Sequence, residues 1–211
     1  MTAWDAAIAA SPIIGVVRHS DDVIAERIAR AAVDGGIGII EITFTVPSAP
    51  QLIARLRQEL PGIVIGAGTV LTAADVDAAT AAGADFLVSP IADAEVMRAA
   101  AARSIRFIAG AATPTEVAAA WRGGAQAVKI FPAATLGPGF VSAVRDVLPG
   151  VPLIPTGGIR PADVGAWLSA GATAVGIAGS LTSAWQEGGA DGVRAAAATA
   201  VTASAPIRST R

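Results

Sequence analysis

Eight short runs rich in β-branched and apolar residues recur along the chain at nearly constant spacing. They occupy 13–18, 38–43, 63–68, 86–90, 106–111, 127–132, 152–157 and 174–179, with successive starts 25, 25, 23, 20, 21, 25 and 22 residues apart. Each is close to continuously apolar, as a parallel strand buried on both faces must be.

The segments between these runs have the pattern of helices. Residues 21–34 open on Asp21, a cap residue, and the spacing puts Val23, Ile24, Ile28 and Ala31 on one face. Residues 72–82 open on Thr72 and stay rich in Ala; 114–122 carry Pro114 in the first turn, where its missing N–H does no harm. Small-residue joints lead into the next strand at 34–36, 81–84, 123–125 and 170–172. Gly at such joints ends a helix in left-handed geometry.

Eight β–α units in 211 residues predict an α/β fold, a single (β/α)8 TIM barrel over residues 1–203, with a short N-terminal helix at 2–10. A flavodoxin-like open sheet is the rival architecture, but it normally stops at five or six strands. Residues 204–211 read as a flexible C-terminal tail.

Composition narrows the chemistry. With 53% apolar and 15% charged residues, the chain buries far more than it must solvate, which excludes disorder. Charges interrupt every long apolar run, so no membrane span is expected. No charged segment precedes an apolar stretch at the N-terminus, which points to a cytoplasmic protein without a secretory signal. A net charge of −2 and scattered Arg argue against a nucleic-acid partner. There is no Cys and no Tyr, and His19 is the only His. Thiol chemistry, phenol relays and a His-rich metal site are thereby excluded, and no metal or other cofactor is expected.

Against that background two charges stand inside strands. Alternation places Ile39, Glu41 and Thr43 on one face of the second run, and Ala127, Lys129 and Phe131 on one face of the sixth. Bulky aliphatics hold the opposite faces, which suit the surrounding helices, so Glu41 and Lys129 point into the barrel. A buried structural ion pair is one reading, since buried charges must be paired. Lys129, however, is the only Lys beside fourteen Arg. Arg would serve an ion pair at least as well. It cannot lose its proton and attack a carbonyl, whereas a desolvated lysine can. The lone lysine thus points to imine chemistry, and a carboxylate across the barrel mouth can move the required protons.

Gly-rich turns follow the last two runs: TGGI at 156–159 and GIAGS at 176–180. Loops after strands seven and eight, joined to a helix N-terminus, form the phosphate cradle of such barrels. Gly157, Gly158 and Gly179 allow close backbone approach, and Thr156 and Ser180 add hydroxyl donors. Plain turn chemistry is the alternative reading of these glycines. GAGT at 66–69 follows the third run and presents Thr69 to the same mouth.

With these residues placed, the chain resembles the class I aldolases for 2-keto-3-deoxy-6-phosphogluconate (KDPG) and 4-hydroxy-2-oxoglutarate (KHG). The resemblance runs from about 12 to 200 through EITFTVPSA (41–49), GAGTVL (66–71), VSP (88–90), VKIFPA (128–133), PTGGI (155–159) and AGS (178–180). It implies a Schiff-base lysine at Lys129 and a general acid/base at Glu41. It implies pyruvate-half contacts near Thr69, Pro90 and Phe131, and phosphate contacts at Gly157, Gly158 and Ser180. It also implies a metal-free homotrimer acting on a keto acid. The family usually has an Arg four residues after the Glu, against the substrate carboxylate; here that position is Thr45, as in relatives acting on the galactonate epimer, which also lack the Arg. Arg18 matches another basic position near the carboxylate. The expected reaction is reversible cleavage of KDPG to pyruvate and glyceraldehyde 3-phosphate, with KHG as a further substrate. The same chemistry on the 6-phosphogalactonate epimer stays open, as does a non-catalytic phosphosugar-binding barrel. A phosphate-binding isomerase would leave Lys129 unexplained.

Overall fold

A computed structural model describes residues 2–208, with side chains through 205. Eight strands form one sheet in the order β7-β6-β5-β4-β3-β2-β1-β8, every pair parallel. They are β1 Ile13–Val17, β2 Ile39–Thr43, β3 Val64–Gly68, β4 Phe86–Val88, β5 Arg106–Ala111, β6 Ala127–Ile130, β7 Leu153–Pro155 and β8 Val175–Ile177. One bridge between Thr156 and Gly176 joins β7 to β8 and completes the barrel.

The helices are α1 Ala3–Ala10, α2 Asp22–Asp34, α3 Ala49–Glu59, α4 Ala73–Ala81, α5 Ala94–Ala102, α6 Pro114–Arg122, α7 Ala133–Leu136, α8 Pro138–Val147, α9 Val164–Ser169 and α10 Gly179–Arg208. Thr2, Thr72 and Thr113 cap α1, α4 and α6, each in a reciprocal box with an acid three residues on. Such boxes satisfy two of the amide donors that a helix start leaves without partners.

Two apolar layers result from strand alternation. Ile40, Ile42, Val128 and Ile130 face the helices in the outer layer, with Ile28, Leu52 and Leu56 among those packing from the helix side. Ile14, Ile39, Val64, Phe86, Ile108, Ala127 and Ile154 fill the barrel interior. Burying each large aliphatic side chain contributes about 1.5–3 kcal/mol. α1 lies against this interior from the N-terminal end: Trp4, Ala7 and Ile8 pack on it, and the Trp4 ring meets Phe86 edge-on at 4.9 Å.

Three details differ from the expectations. Val23 is 57% exposed rather than on the buried face of α2. That face is built on Ala25, Ile28, Ala29, Ala31 and Ala32, because three-and-four spacing from Ala25, not Val23, meets the sheet and small Ala side chains let α2 sit close. Strands β4, β6, β7 and β8 stop about two residues early. Pro90 and Pro132 have no N–H to continue a ladder, and at Gly179 the chain is already helical. Lastly, α10 continues to Arg208 across a break at Gly188 and Gly189, and Ser204 is buried, where a tail was expected from 204; residues 209–211 lie outside the described residues.

Candidate active site

The inward residues at the C-terminal end of the barrel converge on one pair. Lys129 Nζ stands 3.6 Å from Glu41 Oε1, and their side chains are 7% and 3% exposed. This is longer than a hydrogen bond, and Oε1 has no hydrogen-bond partner. A buried ion pair serving stability alone needs close geometry and saturated oxygens to offset desolvation. This pair has neither, so the carboxylate keeps an accepting position facing the amine.

Glycines make the space. A Cβ on Gly68 would lie 2.0 Å from Glu41 Oε1, and one on Gly110, the register partner of Lys129, would lie 2.0 Å from the Pro90 carbonyl oxygen. The turn after β4 therefore folds across β5 and brings Pro90 to the level of the lysine. Gly68 and Gly110 were not singled out from sequence; their inward parity on β3 and β5 was the available signal.

Contacts tie several of the other nominated residues to Lys129 or to one another. Lys129 Nζ lies 5.6 Å from the centroid of the Phe131 ring, within cation–π range. Phe131 in turn packs where Gly157 leaves room: a Cβ there would stand 3.1 Å from the ring, and Gly157 has φ +101°. Thr156 is buried, and Gly176 faces its hydroxyl, where a Cβ would lie 2.3 Å from Oγ1. Arg18 Nη2 donates to Thr69 Oγ1 at 3.3 Å. Thr69 has φ 57°, a strained conformation for a β-branched residue, held at the end of β3.

Thr45 is exposed, and its hydroxyl is turned onto Thr43 Oγ1 at 2.7 Å. Thr43 Oγ1 donates to the Val17 carbonyl at 3.0 Å, next to Arg18. Gly179 and Ser180 open α10, and the Ser180 hydroxyl is buried without a partner. Gly158 is exposed and has φ +74°. Helix-start amides at such a turn favour an anion. Nearby Arg160 is engaged with Asp163 through 2.7 and 3.0 Å bonds, which hold the Asp163 carboxyl below its usual range. Among the described residues no group of three or more His, Asp or Glu could hold a metal ion. No helix there is long and apolar enough to cross a membrane.

A lysine and a carboxylate on inward positions at the loop-bearing end of a parallel barrel match the class of carbon–carbon lyases that work through lysine, and the comparisons agree that this is an aldolase. Residues 5–195 match the model of the KDPG and KHG aldolases, and the chain belongs to that family. It is 33% identical to 2-dehydro-3-deoxy-6-phosphogalactonate aldolase of Escherichia coli strain K12 over 83% of this chain and 86% of the relative. It is 39% identical to 2-dehydro-3-deoxy-phosphogluconate aldolase of Treponema pallidum over 71% of this chain and 70% of the relative. The structure of a KDPG aldolase from Legionella pneumophila, with pyruvate captured as a covalent carbinolamine, superposes with a TM-score of 0.83 at 30% identity, covering 95% and 98% of the two chains.

Proposed function

We propose that this aldolase cleaves KDPG reversibly to pyruvate and glyceraldehyde 3-phosphate, with Lys129 as the imine-forming nucleophile and Glu41 as general acid/base. The observation that carries this reading is the 3.6 Å approach of Lys129 Nζ to an unbonded Glu41 oxygen inside the barrel.

The neutral lysine amine attacks the C2 ketone to give a carbinolamine, which loses water to a protonated imine. Glu41 removes the C4 hydroxyl proton as the C3–C4 bond breaks, and the bonding electrons pass into the iminium as an enamine. The aldehyde departs, C3 is protonated, and water returns the imine to pyruvate and free lysine. Arg18, held on Thr69, meets the substrate carboxylate beside Thr45. Pro90 and Phe131 bound the pyruvate half. Thr156, Gly157, Gly158, Gly179 and Ser180 receive the phosphate. The assembly is a homotrimer, checked by light scattering on the purified protein.

Thr45 favours a second reading. With Thr45 where the family usually has an Arg, the 6-phosphogalactonate epimer is the alternative substrate, and KHG, which lacks phosphate, is a weaker one.

Pyruvate with borohydride tests the mechanism. One reduced adduct is expected at Lys129, absent in Lys129→Arg, which also loses cleavage while staying folded. Glu41→Gln should slow cleavage by about 10²–10⁴-fold. An adduct on the Met1 amine, or activity retained in Lys129→Arg, would overturn it. Met1 lies outside the described residues.

A further inference from the structure

At the end of the barrel opposite Glu41 and Lys129, α1 covers the floor incompletely. A pocket of about 520 Å³ opens there beside the seam between β7 and β8, lined mainly by Trp4, Ile8, Arg106, Pro152, Ile154 and Leu168. Its volume lies within the range of about 300–1,000 Å³ that encloses small organic ligands, and a mainly apolar wall with a few polar groups is the usual lining.

Arg106 supplies the charge. Its guanidinium lies over the Trp4 ring at 5.1 Å from the centroid, and Trp4 is in turn wedged on Phe86. This cation–π contact holds the guanidinium at the pocket wall. Among the described residues no carboxylate stands within ion-pair distance of Arg106. Asp5, which also lines the pocket, turns its Oδ2 to α1, accepting from the Thr2 amide at 3.0 Å and the Thr2 hydroxyl at 2.8 Å; Thr2 first, with a lesser contribution from the charge of Arg106, holds its carboxyl below the usual range. Gln126 is likewise committed, to the Phe107 amide and the Gly124 carbonyl. Ser11, between the lining residues Ala9 and Pro12, has a buried hydroxyl with no partner.

We propose that this floor pocket is a second ligand site, which takes a small amphipathic monocarboxylate. The carboxylate binds the fork of Arg106, whose geometry suits two parallel bonds. The alkyl or aryl body lies on Ile8, Pro152, Ile154 and Leu168. A single guanidinium beside Asp5 and an apolar wall disfavour a dianion such as phosphate, whose remaining charge would be buried unpaired. The site is not isolated from the opposite end: the lining residues Ala127 and Ile154 are, in turn, two residues before Lys129 on β6 and its register partner on β7.

Calorimetric titration with octanoate tests the site, with 1-octanol as the uncharged comparison. Octanoate should bind at one saturable site per chain, at least about tenfold more tightly than 1-octanol, the size of one lost charge-assisted hydrogen bond. Arg106→Met should weaken octanoate by about 10–100-fold and remove the preference for the acid. Ala9→Trp, at an exposed position of α1, should block the pocket and weaken both ligands. Lys129→Arg should leave octanoate binding unchanged. Absence of saturable octanoate binding, equal affinity for 1-octanol, insensitivity to Arg106→Met or Ala9→Trp, or loss in Lys129→Arg would each overturn the proposal.

Discussion

Gly68 and Glu41 occupy one space: a methyl group on Gly68 would lie 2.0 Å from Glu41 Oε1 and 2.6 Å from both its Cγ and Cδ. The carboxylate takes its position because the neighbouring strand has no side chain there. Gly68→Ala should displace Glu41, and displacement of about 1 Å from reacting geometry costs about 10²-fold in rate. The expected result is a loss of that order in kcat with a folded protein. Gly139→Ala, which meets nothing within 4 Å, should change nothing. Steady-state kinetics on the two variants side by side checks this, and equal behaviour would refute it.

Thr45 sits at the mouth with its hydroxyl on Thr43, and Thr43 bonds the residue before Arg18. Thr45→Arg adds a second cation beside Arg18. If the carboxylate lies there, the ratio of kcat/KM between the two epimeric phosphorylated keto acids should shift by roughly 10–100-fold, the value of one charged hydrogen bond. An unchanged ratio would show that Arg18 already satisfies the carboxylate.

The Ser180 hydroxyl is buried and unbonded at the start of α10. Ser180→Asp should set a like charge against substrate phosphate. KM for KDPG should then rise at least about tenfold, with little change for KHG. Parallel losses on both substrates would mean that the turn serves the fold rather than the ligand.

Glu26 on α2 accepts from Arg30 at 3.0 and 2.7 Å and from Arg55 of α3 at 2.6 Å. Arg30 first, then Arg55, holds its carboxyl below the ordinary range against the opposing effect of burial. The resulting stabilisation is full above the unfolded-state value of about 4.3 and disappears as pH falls through the lower folded-state value. Glu26→Gln should lower Tm by about 2–4 °C at neutral pH, as a loss near 1 kcal/mol does in a chain of this size. Once pH has fallen through that lower value the two proteins should converge. A Tm difference independent of pH would refute the coupling.

Much of the barrel was legible because strand and helix report themselves locally. The run at 106–111 coincides with β5, and 114–122 coincides with α6, whose Thr113 cap and Pro114 are local signals. The parity of Glu41 and Lys129 was equally local, since alternation assigns each strand residue to a face without knowledge of its partner strand. Val23 was misassigned because helical periodicity admits more than one face, and only the sheet beneath α2 selects among them. Pro90 was placed near the site through resemblance, but its route across Gly110 depends on a contact between the turn after β4 and strand β5.

The order of residues along the chain was enough to set which types stood available: one lysine, one inward carboxylate on β2, and glycines at the turns after β7 and β8. It also set their arrangement around the barrel, because eight buried strands at even spacing have few ways to close. The folded barrel added that Lys129 and Glu41 meet at 3.6 Å, that Gly68 and Gly110 clear the space around them, and that Arg106 lies over the Trp4 ring at the far end. The reason is physical: a side chain's face follows from its own backbone, whereas the distance between two side chains 88 positions apart follows from strand stagger and packing across the whole barrel.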